Sequence, residues 1–244
     1  MSLRLTLATA GRILAQLRRD PRTIAMLLLV PLILMALLSW VFDDERRFNQ
    51  AGPALLGLFP FVVMFIVTSI ATLRERTSGV LERLLAMPLH KLDLLFGYAL
   101  AFGLVATVQA LVTASVSVWW LGLDIAGSTW LLVVVAVLDA LLGVSLGLLA
   151  SAFARTEFQA VQFMPALVLP QALLCGLLAP RDQMHDVLRW ISDALPLSYA
   201  VDAMQEVTAH ADVTDAVVVD LVVVGGCVVL ALLLGAATLR RRTG

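Results

Sequence analysis

Residues able to do chemistry are few and scattered in this chain of 244. Its single lysine, Lys91, follows His90 and not the glycine of a GxxxxGK[ST] loop. The chain therefore has no phosphate-cradling turn of that type and no route of its own to ATP hydrolysis through one. His90, His185 and His210 fall in three separate polar segments, and Cys175 and Cys227 lie in apolar stretches at different depths. Neither set has the spacing of a metal centre or a disulfide, and the cysteines read as small core residues. No nucleophile stands beside a base, and the serines of the apolar stretches read as helix-packing residues. The expectation is a chain with no catalytic, metal or cofactor site.

The polar residues that remain are those buried in apolar surroundings. Asp139 sits near the middle of a long apolar run, where insertion of a charge costs about 2.5 to 3.5 kcal/mol, so it must face protein or water. It is either a cavity-lining or gating group, or the partner of a neighbouring helix through Gln109. Gly143, Gly147 and Ser151 follow at intervals of four, a stripe that lets another helix approach closely, from this chain or from a second copy. Gln159, Gln162 and Gln171 make the next apolar run the most polar, as the wall of a pathway would be.

Composition dictates what holds these residues. With 61% hydrophobic and 14% charged residues and a mean hydropathy of +0.95, the chain is a polytopic membrane protein. The net charge of −1 gives no reason to expect nucleic acid. The expected architecture is all-α, a single transmembrane domain over 1–244. Residues 1–22 form an interfacial helix, with Leu3, Leu7, Ala10, Leu14 and Leu17 on one face, ended by Asp20 and Pro21. Six spans follow at 23–42, 51–73, 94–123, 130–154, 158–180 and 216–239, the third long enough to tilt or project, and the fifth kinked by Pro165 and Pro170. With the N-terminus inside, 13 of the 17 basic residues fall in inner segments. Only Arg46, Arg47, Arg181 and Arg189 lie outside, and Trp40, Trp119, Trp120, Trp130 and Trp190 all fall at the outer interface. Both termini are therefore placed in the cytoplasm.

Two segments between spans have helical periodicity. From Arg74 to Tyr98 runs a charged insert in which Val80, Leu81, Leu84, Leu85 and Met87 recur at helical spacing. Gly79 can cap this helix with Glu82 three residues on, and Pro88 ends it. Such a helix lies along the aqueous face, either docked on a partner or resting on lipid headgroups. The outer segment from Pro180 to Asp215 alternates charged and apolar residues and is divided at Pro196. It reads as two short amphipathic helices at the outer leaflet.

These segments carry a resemblance. Arg74, Glu75, Gly79, Leu81, Glu82, Leu84, Leu85, Pro88 and Leu89 fall where export permeases of the ATP-binding-cassette (ABC) class, of the second or type V-like export class, carry their first cytoplasmic coupling helix. Leu195, Pro196, Leu197, Ser198, Tyr199, Val201, Asp202 and Ala203 match the segment before those permeases' last span. Val80 departs from the pattern, since many members have threonine there. The resemblance implies an exporter subunit of a bacterial inner membrane that moves an amphipathic drug, lipid or polymer outward. ATP and Mg would be bound by a separate cytoplasmic ABC ATPase, and a second permease copy and membrane lipids would be the other partners. It assigns ATPase coupling to Glu75, Gly79, Leu81, Glu82, Leu84, Leu85, Pro88, Arg155 and Glu157, and an outer helical cap to Trp190, Pro196, Tyr199 and Asp202. An ion-coupled secondary carrier is disfavoured, because Asp139 is the one deep ionisable group and the halves show no inverted repeat. A non-transporting membrane scaffold remains as a third class.

Overall fold

The computed structural model describes residues 2–42, 44–80, 83–84 and 91–238, and the described residues are all helical or loop, without a strand. Leu81, Glu82, Leu85 and Pro88 of the expected coupling helix lie outside the described residues. Helix α1 (Leu3–Arg18) is followed by α2 (Pro21–Phe42), α3 (Glu45–Thr77), α4 (Lys91–Trp119), α5 (Thr129–Ser151) and α6 (Glu157–Leu174). A 3-10 turn at Arg181–Gln183 then leads to α7 (Asp186–Asp193), α8 (Pro196–Ala209) and α9 (Asp215–Thr238).

Five of these helices, α2, α3, α4, α5 and α9, are long and apolar enough to cross a membrane. The fifth expected span is not among them. Its helix α6 has 18 residues, about 27 Å at 1.5 Å per residue against a hydrocarbon core of about 30 Å, and three glutamines lower its hydropathy. Beyond Leu174 the chain leaves the helix and turns at Gly176, whose φ of +92° suits glycine. The third expected span ends as a helix at Trp119, and Gly122 at φ +72° reverses the chain.

Local chemistry sets several of these boundaries. Asp20 caps α2, accepting from the Thr23 amide at 3.2 Å and the Thr23 hydroxyl at 2.7 Å, with Pro21 at the first helical position. Asp44 caps α3 by accepting from the Arg46 amide at 2.9 Å. The 33 residues of α3 extend about 50 Å, well beyond a bilayer core, so both ends project.

The core is the α3–α5 pair. Without a hydrophobic drive between helices in lipid, close backbone approach supplies the packing. The glycine stripe of α5 meets α3 of its own chain: a β-carbon at Gly143 would stand 2.4 Å from the Phe61 carbonyl oxygen, and one at Gly147 2.6 Å from that of Phe65. Phe61, Met64 and Phe65 are completely buried around this contact. Helix α8 is buried as well, through Leu197, Ala200, Val201, Ala203, Met204 and Val207, and packs against α3, α5 and α9. It is a core element, not a helix lying on an outer surface. By contrast, α2 buries only the stripe Leu27, Pro31 and Met35, and its remaining surface faces outward.

Candidate functional site

One end of the bundle gathers α1, the end of α3, the start of α4, the end of α5 and the start of α6. Helix α1 docks on α4 through Thr6, Thr9, Ala10 and Ile13, while Leu3 and Leu7 of the expected apolar stripe are exposed. Gly97 makes this possible, because a β-carbon there would stand 2.6 Å from the Thr9 β-carbon. The Ser2 amide donates to the fully buried Asp93 carboxylate at 2.9 Å, fixing the start of α1. Its middle is fixed by Arg12, whose guanidinium donates two bonds of 2.8 Å to the two oxygens of Glu75. The Tyr98 hydroxyl donates to the same carboxylate, and Arg12 lies 6.0 Å from the Tyr98 ring centroid. The hydrogen bond from Glu75 is the chief influence holding the Arg12 pKa above its ordinary value. Glu75, placed in the coupling set by resemblance, thus binds within its own chain.

The next two arginines of α3 reach the other side of this end. Arg74 makes a second two-pronged pair, with Glu157 at 2.7 and 3.0 Å, and Arg76 donates to the Ser151 carbonyl. Chain 74–79 is thereby tied to the turn 151–157. Gly79 has a φ of +74°, and its carbonyl accepts from the Arg83 amide at 3.2 Å, so a helical turn starts after it. Arg83 is exposed, whereas Leu84 packs on the core. Arg155 is exposed and its amide donates to Gln159 Oε1 at 2.8 Å.

This lock leads to a measurable expectation. Arg12→Ala would leave Glu75 and Tyr98 partly buried with an uncompensated charge, a loss of about 1–3 kcal/mol. Limited proteolysis at the α1–α2 junction should then quicken several-fold. Arg12→Lys should restore only part of the protection, because an ammonium cannot make the two-pronged contact. Unchanged cleavage in Arg12→Ala would mean that the contacts of Thr6, Thr9 and Ile13 alone hold α1.

In the middle of the bundle, Asp139 is fully buried, and neither carboxylate oxygen has a hydrogen-bond partner among the described residues. The pairing with Gln109 does not occur. Gln109 instead donates to the Leu27 carbonyl at 2.8 Å, because its phase on α4 turns it toward α2. Asp139 faces the opposite way, against α3 and α8: a β-carbon at Gly57 would stand 3.0 Å from both Asp139 Oδ2 and Met204 Sδ. The three glutamines do not share one wall either. Gln159 caps the turn at Arg155, Gln162 is exposed, and Gln171 is buried, receiving the Leu197 amide at 3.4 Å.

The far end is organised by Arg181, which sequence reasoning counted only as an outer charge. Its guanidinium donates to both Asp193 and Asp202 and lies 5.3 Å from the Tyr199 ring centroid. Burial pushes the Asp202 carboxyl up against the opposing pull of Arg181. The Tyr199 hydroxyl donates to the Asp193 carbonyl at 2.7 Å, and Ser192 Oγ donates to the Leu174 carbonyl at 2.8 Å. Pro196 starts α8, and Trp190 projects from α7. The α4–α5 loop closes on the same cap, with the Gly127 amide donating to the Val207 carbonyl at 3.1 Å. Between these elements lies an open cavity of about 680 Å³ lined by Phe42, Arg47, Asn49, Asp124, Leu177 and Gln205, among others.

Comparison with known proteins places this geometry in context. The family model described as ABC-2 type transporter matches residues 4–208. The chain is 30% identical over 155 residues to "Probable multidrug ABC transporter permease YbhR" of Escherichia coli (strain K12), covering 64% of this chain and 42% of that protein. It is 28% identical over 164 residues to "ABC transporter G family member 20" of Dictyostelium discoideum, covering 67% of this chain and 22% of the relative. With "Linearmycin resistance permease protein LnrN" of Bacillus subtilis (strain 168) it shares 26% identity over 189 residues, 75% of this chain and 49% of that one. The matches thus span from about a fifth to about half of these relatives' lengths.

Proposed function

Because this chain belongs to the ABC-2 type transporter family, we propose that it is the membrane permease subunit of an ABC exporter, driven by ATP hydrolysed in a separate cytoplasmic ATPase. The observation that carries the reading is the double tie Arg74–Glu157 and Arg76–Ser151, which joins the two segments expected to meet that ATPase into one platform. A push on 79–87 is then passed to α3 and to the α5–α6 turn together, so both helices move as a unit. Glu75, through Arg12 and Tyr98, carries the same displacement to α1. Glu75 and Glu157 thus act by positioning the platform, and the exposed Arg83 and Arg155 are offered to the partner.

Six crossings complete the account. Helix α6 runs from the α1 end to the cap end like its neighbours, and it crosses with the help of the non-helical 175–180 segment. With the α1 end cytoplasmic, the cap faces outward, the permease works as a dimer in a bacterial inner membrane, and ATP and Mg belong to the partner subunit. Affinity purification of the tagged chain with mild detergent should bring down a nucleotide-hydrolysing protein in near-stoichiometric amount. Absence of any such protein in crosslinked membranes would remove the basis of this function.

Orientation has its own test. In a background of Cys175→Ala and Cys227→Ala, single cysteines replacing the exposed Arg46 and His185 should react with an impermeant thiol reagent in intact cells. One replacing Arg83 should react only after the membrane is opened. The opposite pattern would invert the topology.

A further inference from the structure

Where α8 passes the first turns of α9, a crevice of about 310 Å³ is lined by Asp202, Gln205, Glu206, Ala209, Ala216 and Asp220. Two of its three carboxylates are engaged. Asp202 shares Arg181 with Asp193, and Glu206 receives His210 Nδ1 at 3.0 Å and the Thr214 hydroxyl at 3.4 Å. Asp220 is different: it is only 8% exposed, and no hydrogen bond or ion pair to it is made by any described residue. One guanidinium shared between two carboxylates leaves the crevice negative, and a deep carboxylate without a partner is costly unless a cation is supplied from outside the chain. Among the described residues no three metal-ligating groups converge closely enough to hold a metal ion, so the counter-charge must be spread over a larger group. Next to Asp220 on α9, Val218, Val219 and Val222 are exposed and give an alkyl or aryl body an apolar surface beside the charged head.

We propose that this crevice binds the cationic head of an amphipathic organic cation, with Asp220 and Glu206 facing the ammonium or phosphonium centre and the α9 valines carrying its apolar part. The assignment deepens the export reading, on which it rests for the meaning of the site as a cargo site at the outer end of the path. Cation binding by the isolated chain and retention of an ATPase are separate readouts, so either can fail while the other stands.

The probe is tetraphenylphosphonium, with tetraphenylborate as its oppositely charged isostere, measured by equilibrium dialysis against the full chain in neutral maltoside micelles. The parent should bind the phosphonium at least about tenfold more tightly than the borate. Asp220→Asn should weaken phosphonium binding about tenfold and leave the borate unchanged, since each factor of ten corresponds to one modest charge contact. Gln205→Lys places a cation at the rim without removing a buried acid, and it should weaken binding as much even if Asp220→Asn folds poorly. Added phosphatidylethanolamine distinguishes the source of the natural head: competition with the phosphonium in the parent identifies a lipid headgroup, and no competition identifies a free cationic cargo. Equal binding of phosphonium and borate by the parent, or parental phosphonium affinity in a well-folded Gln205→Lys, overturns the site.

Discussion

Gly143→Leu should abolish accumulation of folded protein. A β-carbon at this position stands 2.4 Å from the Phe61 carbonyl oxygen, with the Phe61 carbonyl and α-carbons at 3.1 Å. The atoms in the way are backbone in the middle of a 33-residue helix, so no side-chain rotation relieves the clash. Forcing α3 and α5 apart would loosen Phe61, Met64 and Phe65 together, at a cost of about 3 kcal/mol or more. Gly147→Leu meets the Phe65 carbonyl in the same way and should behave alike. Gly11 has nothing within 4 Å of an added β-carbon, and Gly11→Ala should raise helix stability slightly instead. Fluorescence-detected size exclusion of detergent extracts reads all three. A monodisperse peak of parental height for Gly143→Leu would mean that α3 and α5 do not pack through this stripe.

The second large effect is expected at the aqueous face. Leu81 and Leu85 are one helical turn apart in sequence, so a helix through them presents both on one side. Burying a leucine contributes roughly 1.5 to 3 kcal/mol, and replacing both by aspartate removes that gain and turns charges toward an apolar groove. Leu81→Asp with Leu85→Asp should therefore leave membrane insertion intact while the ATPase is lost from the purified complex. Glu82→Arg should weaken the pairing less, because a rim charge acts mainly on the rate of association. Parental amounts of ATPase and parental export in the double variant would assign coupling to another segment, the turn around Arg155 and Glu157 being the next candidate.

The membrane character, the helical class and the glycine stripe are legible from sequence because each rests on a local period or a run of composition. What a stripe touches is another matter: Gly143 and Gly147 define a face, but only the three-dimensional path of the chain puts Phe61 and Phe65 against it. Gln109 and Asp139 failed to pair for the same reason, since depth along two helices says nothing of their rotation. Arg12 and Arg181 were counted as topological charges. A tally of basic residues cannot separate an arginine in solvent from one locked between carboxylates 63 positions away, as Arg12 is with Glu75. Helix α8 could have been found. Leu197, Ala200, Val201, Met204 and Val207 recur at three- and four-residue intervals, a buried face where the alternating charges drew attention to the polar one. The shortness of α6 is legible in its three glutamines and two prolines, but the crossing it makes depends on how 175–180 continues it.

The unpaired Asp139 is also what an ion-coupled carrier would place at mid-membrane, and the energy source separates the two readings. The decisive measurement is transport by the purified chain reconstituted in liposomes with and without its copurifying ATPase, using tetraphenylphosphonium as cargo. The account predicts movement that requires the ATPase and hydrolysable ATP and persists when ionophores collapse proton and sodium gradients. Cargo movement by the chain alone, driven by an imposed ion gradient without ATP, would contradict it.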